Sequence, residues 1–239
     1  MIKLSQRLQA IADLIPSGSR VADIGTDHAF LPCYLVQQGI SPTVIGIDVK
    51  KGPLKSAEQT VRDCQLTDTI TLRLGDGLGP LELGEVDTVI IAGMGGNTIK
   101  EILNNSPQVV EALQTLILQP MNGANKVRSW LHQHSWQIVD EALLLEDGHY
   151  YQIIKGIPGR KSELAEELTA MELSYGPLLI AEKHPLLPEL IEKDLLSLQD
   201  IKKQLAKSKS VEAKKRLNQL ERQAQQMKEL KECLSAAMK

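Results

Sequence analysis

The chain has 239 residues, and 42% of them are apolar, enough for a large core, so global disorder is excluded. The formal net charge is −3, the pI is near 6.0 and only 3% of the residues are aromatic, which excludes a whole-protein basic field and an aromatic sheet on which RNA bases stack. Cys33, Cys64 and Cys233 lack C-x-x-C spacing, residues 1–5 carry no long apolar run, and no run is long enough to span a bilayer; the expected setting is the cytoplasm, with reduced thiols, no metal and no membrane.

Leu4, Leu8, Ile11, Leu14 and Ile15 recur at helical spacing, which predicts an amphipathic helix over residues 3–15, ended by Pro16-Ser17-Gly18. A first strand at 20–24 stops at Gly25, and polar residues then lead into a helix-like segment at 29–38. Residues 43–48 read as a second buried strand ending in Asp48, followed by a helix at 51–65. A third strand, 69–74, is closed by Gly75-Asp76-Gly77, and a fourth, 86–92, by Gly93-Met94-Gly95-Gly96. A helix near 97–104, a fifth strand at 115–118 ending in Gln119-Pro120-Met121, and a helix at 125–134 come next. Residues 136–145 and 149–157 read as an antiparallel pair turning at Glu146-Asp147-Gly148. Short apolar runs separated mostly by helical segments predict an α/β fold with a mostly parallel sheet covered on both faces. With the terminal hairpin it matches the seven-stranded, Rossmann-like sheet of class I methyltransferases.

The composition changes after Gly159. Residues 162–173 are acidic and helix-prone, and breaks fall at Tyr175-Gly176-Pro177 and between His184 and Pro188. Residues 189–238 contain neither glycine nor proline. Ile191, Leu195, Leu198 and Leu205 form one stripe; Leu217, Leu220, Ala224, Met227 and Leu234 form another with heptad-like spacing. This predicts two long helices in an antiparallel coiled-coil hairpin that turns near 208–210. The expected division is therefore a domain at 1–159 and a helical coiled-coil domain at 160–239.

The special residues cluster at the carboxyl ends of the predicted strands, where open α/β sheets bind ligands. A strand that ends in a glycine turn and opens a helix aims backbone N–H groups at one spot. In a dinucleotide site the glycines read G-x-G-x-x-G, but here Asp27 occupies the second glycine position and Asp23 precedes the turn. Two carboxylates would repel a pyrophosphate and suit a cation or an amino group, so Asp23, Gly25, Thr26 and His28 point to a nucleoside carrying positive charge. Asp48, with Val49, follows Gly25 by about twenty residues, the distance at which an acid receives ribose hydroxyls. Asp76, beside Gly77, can accept from an adenine amino group. Ala92, Gly93, Met94 and Gly95 offer close backbone approach and a methionine to pack on a flat base. The structural readings are an N-cap for Asp27 or Asp48, a turn for Asp76, a helix-start turn for 93–96 and a purely structural His28.

Asp23-Ile24-Gly25-Thr26-Asp27-His28-Ala29-Phe30-Leu31-Pro32, Gly75-Asp76-Gly77, Ile91-Ala92-Gly93-Met94-Gly95-Gly96 and Leu118-Gln119-Pro120 resemble the bacterial tRNA (adenine-22-N1)-methyltransferases, the TrmK type. Leu4-Ser5-Gln6-Arg7-Leu8 and the C-terminal helices are similar too, so the resemblance covers essentially the whole chain. Met121 departs from it, at a place where asparagine often follows the Gln-Pro pair. The resemblance implies S-adenosyl-L-methionine as methyl donor, bound by domain 1–159, and the D-loop adenine of tRNA as acceptor, with no obligate protein partner evident. It also implies Arg7, Gln119 and Pro120 as substrate contacts.

Asp27 and Asp76 are the candidate catalytic carboxylates, because methylation of neutral adenine N1 moves positive charge onto the purine and needs positioning more than a base. The [N/D]-P-P-[Y/F/W] motif of exocyclic-amine methyltransferases is replaced after the fourth strand by Ala92-Gly93-Met94-Gly95, which favours ring-nitrogen methylation. Lys207, Lys209, Lys214 and Lys215 are the candidate tRNA-docking residues, although such a cluster can be only a solvated helix face. Residues 1–159 hold 12 Lys+Arg against 17 Asp+Glu, a net of −5, and 160–239 hold 15 against 13, a net of +2. Two alternatives are a small-molecule methyltransferase with a dimerising hairpin and a non-enzymatic RNA-binding adaptor.

Overall fold

The computed structural model describes residues 2–159, 167–207 and 210–236. The chain divides into two compact units, Met1–Glu167 and Leu168–Lys239.

In the first unit the strands are β1 (Val21–Ile24), β2 (Val44–Asp48), β3 (Ile70–Leu74), β4 (Thr88–Gly95), β5 (Thr115–Asn122), β6 (Trp136–Glu146) and β7 (His149–Pro158). They form one sheet in the order β3-β2-β1-β4-β5-β7-β6, with β7 antiparallel to β5 and β6 and the other pairs parallel. The helices are α1 (Gln6–Asp13), α2 (Phe30–Gln37), α3 (Lys51–Asp63), α4 (Gly96–Asn104), α5 (Pro107–Glu111) and α6 (Ala124–Gln133). The direction of winding reverses between β1 and β4, so their carboxyl ends flank the crevice where such sheets take ligands.

Alternation along the central strands divides the core between the two faces. Ile91, Leu116, Leu118 and Ile154 point to one side, against Ile99, Val127 and Trp130 of α4 and α6. Ile90, Ile117 and Ile153 point to the other, against Ile11, Leu35 and Val61 of α1, α2 and α3. Burial on both faces explains why β1 and β2 read as unbroken apolar runs. The β6–β7 hairpin is tied to α6 by a buried cation: Arg128 Nε donates to Glu141 Oε1 at 2.7 Å and Nη2 to Gln152 Oε1 at 2.7 Å.

Several boundaries differ from the sequence reading. Helix α1 is shorter, because the Ser5 hydroxyl caps it by accepting from Leu8 N. Strand β4 runs on through Gly95 and β5 through Asn122, although the ladder between them is irregular from Ala92 onward. Helix α5, with Pro107 at its start, was not expected.

The second unit contains α7 (Ala170–Tyr175), α8 (Pro177–Ala181), α9 (Leu187–Leu205) and α10 (Val211–Ala236). The acidic stretch expected to be helical at 162–173 begins outside the described residues; its described part forms α7 from Ala170, opened by a Thr169–Glu172 capping box. Helix α8 lies between the two expected breaks, in a stretch for which no element was predicted, and starts at Pro177, the last residue of the first break. Ion pairs between Lys202 and Glu221, at 3.6 Å, and between Lys231 and Glu192, at 2.6 Å, show that α9 and α10 run antiparallel. Ile191, Leu195 and Leu198 are buried on α9, and Ala213, Leu220, Met227 and Leu234 on α10. Ser208 and Lys209, at the expected turn, lie outside the described residues.

Candidate active site

Two adjoining cavities lie at the carboxyl ends of β1, β2, β3 and β4. One, of about 330 Å³, is walled by Arg7, Asp23, Gly25, Thr26, Asp27, His28, Phe30, Ala92 and Gly93. The other, of about 340 Å³, is walled by Gly25, Asp27, Asp48, Val49, Asp76, Gly77, Met94 and Ile102. Gly25 and Asp27 belong to both, so the loop after β1 is the partition between them.

The backbone shape of that loop follows from its residues. Gly25 has φ +77°, a torsion that disfavours any side chain, and a Cβ there would come within 2.6 Å of Met94 Cε, the movable end of that side chain. Asp27 and Ala29 are also left-handed, at φ 50° and 55°. Ala29 is the N-cap of α2, with no side-chain cap, so Asp27 does not serve as that cap and its side chain projects to solvent, 65% exposed. The loop is wired to β2: Gly25 N and Thr26 N donate to Ile47 O at 2.8 and 3.0 Å, and Asp27 N donates to Asp48 Oδ2 at 3.3 Å. Lys50 N donates to Asp48 Oδ1 at 2.8 Å. Each Asp48 oxygen thus takes one backbone N–H and keeps capacity for a further donor.

Asp23 is the electrostatic outlier. It is only 6% exposed, and burial, with the Asp48 charge adding, pushes its carboxyl up to about 6, while the Thr26 side chain and the Arg7 guanidinium pull the other way. A carboxyl so placed suits a bound cation, which would restore its charge.

The first cavity has one aromatic wall. His28 and Phe30 stack with ring centroids 5.4 Å apart and planes 17° apart, and Phe30 is 44% exposed. His28 Nε2 lies 3.7 Å from Asp27 Oδ2. Arg7 Nη1 donates to Gln119 Oε1 at 2.8 Å, and the guanidinium sits 5.6 Å from the centre of the Tyr151 ring.

Most residues singled out in the sequence line these two cavities. Gly95, Gln119 and Pro120 line neither: Gly95 closes β4, and Gln119 and Pro120 are buried within β5. Lys207, Lys214 and Lys215 are exposed residues of the second unit, and Lys209 lies outside the described residues. Sequence reasoning missed Phe30, although it is the chain's single phenylalanine and follows Asp27-His28 closely. It also missed Thr98 and Ile102 of α4, which line the second cavity and had no local signal. No His/Cys/Asp/Glu group able to hold a metal ion occurs among the described residues, and no described helix is long and apolar enough to cross a membrane.

Comparison with known proteins gives consistent results. A family model described as a methyltransferase domain matches residues 4–154. The tRNA (adenine(22)-N(1))-methyltransferase of Bacillus subtilis (strain 168) is 35% identical over 234 residues, covering 98% of this chain and 98% of that protein. The crystal structure of the B. subtilis M1A22 tRNA methyltransferase TrmK superposes with a TM-score of 0.89 at 33% identity, over 96% of this chain and 99% of that one. A Streptococcus pneumoniae protein crystallised with S-adenosyl-L-methionine has a TM-score of 0.84 at 32% identity, over 95% of this chain and 99% of that one.

Proposed function

The chain belongs to the bacterial tRNA (adenine(22)-N(1))-methyltransferase family, and from that premise we infer how its own residues move a methyl group from S-adenosylmethionine to N1 of adenine 22 of tRNA. The observation that carries the residue assignment is the loop from Asp23 to His28, which puts the buried carboxyl of Asp23 on the first cavity and the exposed carboxyl of Asp27 on both.

The site fits the cofactor on its donor set. The remaining acceptor capacity of Asp48 matches a ribose diol, and the exposed Asp76 at the far side of the same cavity matches an adenine amino group. Buried Asp23 matches an ammonium group. Gly25, Gly77 and Gly93, all at positive φ, let backbone approach where side chains could not. S-adenosylmethionine supplies a methyl group on a sulfonium.

On the acceptor side, adenine N1 is neutral and has a free lone pair, so no residue has to remove a proton before attack. The His28–Phe30 stack offers the target base a flat surface beside Asp27. As positive charge develops on the purine, the Asp27 carboxylate stands at the cavity rim to stabilise it. Asp76 lies in the other cavity, which favours cofactor recognition over catalysis for that residue. Lys207, Lys209, Lys214 and Lys215 in the second unit are our candidates for phosphate contacts, since the first 159 residues carry a net of −5 and repel a polyanion. This reading divides the labour between a methyl-transfer domain, 1–159, and a helical docking domain, 160–239, and puts the reaction in the cytoplasm.

The test is nucleoside mass spectrometry of tRNA incubated with enzyme and donor. The expected product is 1-methyladenosine, lost when guanine replaces adenine 22. Formation of N6-methyladenosine, or methylation that survives this replacement, would overturn the reading.

A further inference from the structure

We propose that Gln119 is a positioning residue that fixes the Arg7 guanidinium and the Gly93 amide in the wall of the Asp23–Asp27 cavity. It was expected to touch the substrate, yet it is 0% exposed and does not line that cavity. Its side-chain oxygen accepts two hydrogen bonds, from Arg7 Nη1 at 2.8 Å and from Gly93 N at 3.1 Å. Both partners are donors only, so the amide must present oxygen to them, and its nitrogen is turned toward Met121 Sδ, 3.7 Å away.

The reason for this arrangement lies in the ladder between β4 and β5. Ala92 pairs with Gln119 and Met94 pairs with Pro120, with a register shift between them. Gly93, at φ +75°, is the residue of β4 left out of the pairing, so its backbone N–H has no ladder partner. The Gln119 side chain takes up that N–H. The same oxygen holds Arg7, which belongs to a helix more than a hundred residues away in sequence. One atom thus joins α1, β4 and β5 where Arg7, Ala92 and Gly93 wall the cavity that holds Asp23 and Asp27. Tyr151 of β7 supports the far side of the guanidinium.

This inference rests on the methyl-transfer reading, so the parent enzyme's 1-methyladenosine yield is measured in the same assay. If the parent makes no such product, the function fails; if the parent does and the variants match it, only this inference fails. The variants are Gln119→Met, Arg7→Met, the pair together, and Gln119→Glu, which keeps an accepting oxygen. Single-turnover rates at saturating donor and tRNA should fall by about 10–100-fold in each Met variant, the scale for sub-ångström misplacement near the reacting groups. Affinity for tRNA should change by less than about twofold. The double variant should be little worse than either single one, because both break the same link. Gln119→Glu should recover most of the rate. An Arg7→Met enzyme at the parental rate, additive losses, or a Gln119→Met enzyme with weaker tRNA binding at an unchanged rate would each overturn the proposal. If Gln119→Met does not fold, Arg7→Met and Gln119→Glu still decide it.

Discussion

Replacing Asp23 with Asn should make the donor-free protein more stable and the donor-binding site worse. The carboxyl is 6% exposed, and burial first, then the Asp48 charge, raises it from an ordinary 3.8 to about 6. At about 1.4 kcal/mol per pH unit this displacement is on the order of 3 kcal/mol. The sign is the reverse of the usual aspartate. A raised folded value means that the folded state holds the proton more tightly than the unfolded chain, so the stabilisation is fully present below pH 3.8 and is lost as pH rises through about 6. Above that, ionised Asp23 costs the donor-free fold up to this amount, which already includes the opposing pull of Arg7 on α1 and the added charge of Asp48 on β2. The assay is urea unfolding of parent and Asp23→Asn across the pH range, because subtraction cancels every other titrating group. The stability gap in favour of Asn should open between about pH 4 and 6, approach 3 kcal/mol and stay flat above about pH 7. Calorimetry on the same proteins should show the variant losing donor affinity, while the parent's affinity climbs up to about pH 6 and then levels. Equal stability of the two proteins near neutral pH, or a gap that narrows as pH rises, would refute the reasoning.

Asp48→Ala should weaken donor binding by about 1.5–3 kcal/mol, the range for hydrogen bonds to a charged acceptor; unchanged affinity by calorimetry in a folded variant would remove Asp48 from the ribose site. Asp27→Asn should slow single-turnover methyl transfer much more than it weakens donor binding. A variant that loses affinity but keeps its rate at saturation would make Asp27 a cofactor residue. Replacing Lys207, Lys209, Lys214 and Lys215 with Ser should weaken tRNA binding and flatten its dependence on log salt by up to about 3–4, with donor affinity intact; parental tRNA affinity would place the RNA chiefly on the first unit.

The sequence by itself determined the features that depend on neighbours along the chain. Apolar runs such as 43–48 must become buried strands, and the Gly-Asp-Gly and Gly-Met-Gly-Gly turns must end them, because backbone torsions and side-chain burial are local properties. The acids Asp23, Asp48 and Asp76 therefore read correctly as a row at strand ends, and the heptad-like stripes announced the antiparallel α9–α10 pair.

Other features were decided only when distant segments met. The insertion of β7 between β5 and β6 cannot be read from a hairpin that pairs locally in either order. The ladder becomes irregular where β4 and β5 run on together beyond Ala92, and there the Gln119 side chain meets both Gly93 and Arg7, partners that no local pattern names. Asp23 carries the same letter as Asp27, four residues on, yet one is buried against Asp48 and the other faces solvent. Residue type sets what a carboxyl is able to do; the dielectric and the charges around it, which only the folded chain supplies, set which protonation state it adopts and therefore which task it takes.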